Sequence, residues 1–166
     1  DGIRYKKGIR AVDIGFGTGF PLTEMAMRLG NDSKVYGIDP WDAAIDRARK
    51  KIDFYNIRNV EIIRGAAESI PLEDNSIDLI VSNNGLNNVA DLDKSLSECS
   101  RILKTGGQFI LTVNLNGTMI EFYRVMAKVL VDVNLGHCLE SMNAHIGKKR
   151  KPLDQLLAQI ESHGFS

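Results

Sequence analysis

The chain has 166 residues, 43% of them hydrophobic and 25% charged, the proportions of an ordinary soluble globular domain with room for one core and too little for two. Lysine plus arginine balance aspartate plus glutamate at 21 each, so no overall field draws in nucleic acid or an acidic membrane, and any partner must be recognised locally. Cys99 and Cys138 lie far apart in a sequence with no signal-peptide pattern and no apolar run of membrane-spanning length. This argues against a disulfide framework and for a reducing, cytoplasmic setting.

In chain order, Ile9 to Ile14 reads as a short buried strand. Leu22, Met25, Ala26 and Leu29 then recur at helical spacing up to Gly30, a natural C-terminal cap. Lys34 to Ile38 is a second strand, and Trp41, Ile45, Ala48, Ile52 and Tyr55 mark one face of a second helix. Val60 to Arg64 and Ile77 to Ser82 are the third and fourth strands. Asp91 can cap a helix whose Leu92, Leu96, Cys99 and Leu103 share a face, which makes Cys99 a core residue. "KTGG", Lys104 to Gly107, is expected to break this helix before a fifth strand, Gln108 to Val113. Thr118 to Val133 and Leu153 to His163 are expected helices, with a poorly patterned stretch between them. The alternation predicts a single α/β domain with an open, doubly wound, mostly parallel sheet.

In such a sheet, ligands bind beyond the carboxyl ends of the strands, and the turn after the first strand is the usual place. There the sequence reads "AVDIGFGTGFPL", with Gly15, Gly17 and Gly19 at alternate positions and Pro21 opening the helix. Missing side chains let the backbone turn sharply and approach a ligand closely, and three alternate glycines exceed what a tight turn needs. A dinucleotide fingerprint wants a small residue where this chain has Phe20, and a phosphate loop wants Lys-Ser or Lys-Thr after the glycines; both readings fail. The second strand ends "VYGIDP", placing Asp39 where a carboxylate can accept from two ribose hydroxyls or cap the next helix. Trp41 has two readings as well, core residue by its spacing or adenine contact by its first-turn position, and the spacing favours core.

The blocks "VDIGFGTG", "VYGIDP", "GAAESIPLEDNSIDLIVSNNGL" and "RILKTGGQFILTV", in that order and at those separations, resemble the class I S-adenosylmethionine-dependent methyltransferases of the small-molecule branch, over roughly Ile9 to Asn114. The resemblance implies that family's Rossmann-like fold, with strand order third, second, first, fourth, fifth, and S-adenosyl-L-methionine as cofactor. It assigns Gly15, Phe16, Gly17 and Gly19 to the methionine part of the cofactor, with Asp13 steadying the ammonium end. Asp39 and Pro40 fall at the ribose, Ala66, Ala67 and Glu68 around the adenine, and Asn83 near the methionine amine. The family commonly has an aspartate where this chain has Ala66, and alanine cannot accept from the adenine amino group. Either Glu68 substitutes, or backbone groups and apolar contacts hold the base; Glu68 as a solvated loop acid is the plain alternative.

The resemblance implies methyl transfer to a small-molecule acceptor, an in-line displacement that depends on alignment and needs no universal catalytic residue. No catalytic residue is assigned. "SNNG", Ser82 to Gly85, lacks the prolines and aromatic residue of many amino-methylating nucleic-acid enzymes, so nucleic acid is disfavoured. "GKKRK", Gly147 to Lys151, reads as solvated surface. His137, Cys138, His145 and His163 form no metal-ligand spacing. Family members usually carry a helical segment before the first strand and two strands after the fifth. Here the first strand starts almost at once and the sequence stops at "SHGFS", so the chain is expected to be a fragment lacking the last strands. A non-catalytic, cofactor-binding regulatory or scaffolding module is the alternative function.

Overall fold

The computed structural model describes residues 2–166, apart from the side chains at 148 and 149. The backbone forms two compact units, one running up to Val113 and including His163–Ser166, the other Asn114–Ser162.

The first unit alternates strands and helices: β1 (Arg10–Ile14), α1 (Leu22–Leu29), β2 (Lys34–Asp39), α2 (Asp42–Phe54), β3 (Val60–Arg64), β4 (Ile77–Asn83), α3 (Leu92–Ile102) and β5 (Leu103–Thr112). The strands form one sheet in the order β3-β2-β1-β4-β5, with every pair parallel. This is the predicted order, with the first strand at its centre. Right-handed crossovers put α1 and α2 on one face and α3 on the other.

Side-chain alternation and register build the first of these faces. Ala11 lies between Val35 and Leu79, and Asp13 between Gly37 and Val81. Ala11, Val35, Leu79 and Val81 join Leu22, Met25, Ala26, Leu29, Ile45 and Ala48 in one buried cluster. Leu22, Met25, Ala26 and Leu29 fall at the i, i+3, i+4, i+7 positions that put them on one side of α1. The predicted caps are present. Asp91 accepts from the Lys94 backbone N–H at 3.0 Å, and the Gly30 N–H closes on the Ala26 carbonyl. Cys99 is buried on α3, as its spacing predicts.

The fifth strand differs from expectation. Leu103 is its first residue rather than the end of α3, and "KTGG" lies inside it. Leu103 pairs with Ile77 and Gln108 with Leu79, so four residues, Lys104 to Gly107, bulge opposite Asp78 alone. Asp78 holds the bulge in place by accepting from Lys104 Nζ at 2.8 Å and from the Arg10 N–H at 2.9 Å. At the chain's end, Phe165 packs on Phe109 with ring centroids 4.7 Å apart.

The second unit contains α4 (Ile120–Asp132), α5 (Leu139–Lys149) and α6 (Leu153–Ser162), with a parallel bridge between Leu115 and Lys151. Helix α5 occupies the stretch that reads as poorly patterned. The basic run at 147–151 includes Lys148 and Lys149, whose side chains lie outside the described residues. Its neighbour Arg150 is not freely solvated: the guanidinium sits 4.9 Å from the Tyr123 ring centroid, and its Nε and Nη1 are buried without acceptors. His137, Cys138 and His145 belong to this unit. Among the described residues no helix is long and apolar enough to cross a membrane, and no cluster of His, Cys, Asp and Glu could hold a metal ion.

Candidate functional site

Beyond the carboxyl ends of β1, β2, β3 and β4 the first unit opens into a cleft of about 610 Å³. Of the residues singled out in the sequence, Gly15, Gly17, Asp39, Pro40, Ala66, Ala67, Glu68 and Asn83 line it. So do Ile14, Ile38, Trp41, Gly65, Asn84, Gly85, Asn88, Val89 and Ala90, which the sequence reading did not assign to a ligand.

The glycine turn divides its labour. Gly15 has φ +72°, and a Cβ there would stand 2.5 Å from the Gly85 Cα, so this glycine serves the approach of two backbone segments. Gly17 has φ +54°, a Cβ there would meet nothing within 4 Å, and the residue lines the cleft. Gly19 has φ +99°, a Cβ there would stand 3.3 Å from the Ala48 Cβ of α2, and the residue is not among those that line the cleft. Phe16 turns into the core and is 1% exposed. It and Leu22 fill the space that a Gly37 side chain would occupy, so the phenylalanine in the turn is matched by a glycine in the neighbouring strand.

Asp39, 6% exposed, ties this turn to the tip of β2. Its Oδ2 accepts from the Gly17 N–H at 2.8 Å and its Oδ1 from the Trp41 N–H at 2.9 Å. A carboxylate offers about four lone-pair sites, so two remain for a ligand. Trp41 is 61% exposed, a correction to the core position its spacing suggests. It precedes α2 in extended conformation, where helical periodicity does not apply.

Asp13 is fully buried and does not line the cleft. Neither of its carboxylate oxygens has a hydrogen-bond partner. Burial pushes its pKa up to about 8; the Leu22 backbone N–H, short of hydrogen-bond geometry, opposes the shift, and the Asp39 charge adds to it.

On the other side of the cleft, Ser82 Oγ donates to the Ile14 carbonyl at 2.9 Å and accepts from the Leu86 N–H at 3.2 Å. This fixes a 3-10 turn, Gly85–Asn88, against the end of β1. Asn83 accepts through Oδ1 from the Thr112 hydroxyl at 2.6 Å. Asn84 takes a left-handed conformation, φ 61°, which asparagine tolerates better than most residues; the Asn-Asn-Gly run was the available signal for this turn. Glu68 has a role that neither sequence reading gave it. Its Oε1 accepts from the backbone N–H groups of Ala90 at 2.7 Å and Asp91 at 3.1 Å, joining the loop after β3 to the start of α3.

These features fit S-adenosylmethionine. The cavity falls within the roughly 300–1,000 Å³ common for small-ligand sites. Gly17 lines it without a side chain and Asp39 retains acceptor capacity for hydroxyls, whereas Asp13, which the resemblance assigns to the ammonium end, lies buried off the cleft with its pKa pushed up to about 8.

The family profile described as "Methyltransferase domain" matches residues 12–111. A demethylmenaquinone methyltransferase of Bacillus mycoides is 35% identical over 117 residues, 70% of this chain and 49% of that protein. The chain thus spans about half the length of the curated relatives it matches. Among solved structures, a SAM-dependent methyltransferase from Aquifex aeolicus superposes with a TM-score of 0.62 at 28% identity, over 67% of this chain and 60% of that one. An arsenic(III) S-adenosylmethionine methyltransferase from Chlamydomonas reinhardtii gives 0.70 at 25% identity, over 95% and 52%.

Proposed function

Because this chain belongs to the class I S-adenosylmethionine-dependent methyltransferases, we propose that it serves the transfer of a methyl group to a small-molecule acceptor. The observation that carries this reading is the convergence of Gly15, Gly17, Asp39, Ala66 and Asn83, from the ends of four strands, on one cleft. When bound, S-adenosylmethionine supplies a methyl group already activated on a sulfonium. The chain's own part is alignment: the bare backbone at Gly15 to Gly17 allows close approach, Asp39 holds vicinal hydroxyls, and Asn83 orients the amino-acid end. Ile14, Ile38 and Val89 add apolar surface to the cleft.

The only titratable side chains lining the cleft among the described residues are Asp39 and Glu68, and both accept from backbone amides. These bonds hold both carboxylates in structural roles, and an acceptor whose nucleophilic atom is already activated would need no base from them. Support for a small-molecule acceptor comes from the relatives named for demethylmenaquinone. The setting we propose is cytoplasmic, in keeping with Cys99 and Cys138 as free thiols.

The test is methyl transfer from labelled cofactor to a panel of small molecules that includes demethylated quinols, together with calorimetric titration of the cofactor. Gly17→Val should abolish binding and turnover together, because the added side chain enters the cleft. Asp39→Ala should weaken binding by about 1.5–3 kcal/mol, the range for hydrogen bonds to a charged group. Unchanged affinity in both variants would refute the site. Tight binding of the cofactor without transfer to any acceptor would favour a regulatory module.

A further inference from the structure

The end of the cleft beyond β2 and β3 holds two carboxylates, and both face backbone amides. Asp39 bridges the N–H groups of Gly17 and Trp41. Glu68 Oε1 accepts from Ala90 and Asp91, so two donors hold one oxygen toward the start of α3, where unpaired helix amides also favour negative charge. Next to these carboxylates in the chain, Pro40, Trp41, Ala66 and Ala67 line the cleft and offer no side-chain acceptor. What they offer is apolar surface, including an indole that is 61% exposed. A flat heterocycle can be held there by its faces, but a donor on its edge finds no acceptor on these four side chains, and Glu68 is drawn toward α3 by the two amides on its Oε1.

We infer that this end of the cleft binds the purine of the cofactor by its faces and leaves the exocyclic 6-amino group unread, so that the chain tolerates a base lacking that amine. The inference rests on the cofactor reading above and adds a specificity to it. A site that receives a base donor on a buried carboxylate rejects the analogue without it, by about tenfold or more for one charge-assisted hydrogen bond. A site without that acceptor has no such lever.

The experiment is calorimetric titration of the full chain with S-adenosylhomocysteine and with its 6-desamino analogue, which keeps the ring nitrogens and loses only the amine. The two affinities should agree within fivefold; a fivefold or larger preference for the adenine form would overturn the inference. If that preference disappeared in Glu68→Gln, the reader of the amine would be Glu68. Ala66→Asp, which puts a carboxylate on the apolar wall, should create a preference of about tenfold. Its failure to do so in a folded variant that still binds would show that residue 66 does not face the base, which equally overturns the inference. Absence of binding by either compound is a different result, because it removes the cofactor reading itself.

Discussion

Replacing Asp13 by Asn isolates the cost of a buried acid at the centre of the sheet. Asp13 is fully buried, lies between Gly37 and Val81 in the strand register, and has no hydrogen-bond partner. Burial, partly opposed by the Leu22 N–H and reinforced by the Asp39 charge, raises its pKa from the ordinary 3.8 to about 8. Between those values the folded chain holds a proton that the unfolded chain has released. Stability from this residue is therefore fully present below about pH 4 and declines as pH rises toward about 8, by about 1.4 kcal/mol per pH unit. Asparagine has nearly the same shape and no proton to lose. The stability of Asp13→Asn relative to the parent should thus increase by roughly 3 kcal/mol from pH 5 to pH 7. All other titrating groups are common to the two proteins and cancel in the difference. Urea unfolding of both at pH 5, 6 and 7 provides the measurement. Parallel pH profiles would refute the assignment of a protonated, unpartnered carboxyl to this position.

Two further substitutions test how the first unit is held. Gly15→Ala combines a left-handed backbone with overlap on the Gly85 main chain, and should lower unfolding free energy by about 2–4 kcal/mol; denaturant midpoints no lower than the parent's would contradict the packing. Arg101 donates to the carbonyls of Ile70 and Leu72 and to Glu98 and Asp74, tying the loop before β4 to α3. Its ion pair with Asp74 is exposed and counts for little, whereas the bidentate pair with Glu98 is part-buried; Arg101→Ala should cost about 1–3 kcal/mol through that pair and the two carbonyls and speed proteolysis near residues 70–76.

The sheet was legible because each strand is a compact apolar run with its own turn signal, and because the crossover rules leave few orders for five such strands. The glycine turn and Asp39 were legible for a related reason: residue type alone restricts what a backbone can do at the tip of a central strand. Side-chain direction was less legible. Phe16 sits among the turn glycines, and only the cross-strand neighbour Gly37, 21 positions away, reveals that its ring enters the core. The helical spacing of Trp41 is misleading because the residue stands one position before α2, in extended conformation. Glu68 could not be assigned from composition, since its partners are backbone amides 22 and 23 residues later, and an amide carries no sequence signature. The bulge at Lys104 to Gly107 was read as a break between elements because glycines interrupt periodicity in the same way in either case.

The contact between Gly15 and Gly85 also bears on how this cleft can diverge. A Cβ at either position would run into the main chain of the other segment, and one at Gly85 would overlap the Ile14 carbonyl. The loop after β1 and the loop after β4 are therefore keyed to each other at a point where neither can gain a single carbon alone. Mutational change in the lining of the cleft is steered away from this locked pair and into Asn88 to Ala90, which also line it and where side chains can be exchanged one at a time while the strand tips keep their spacing.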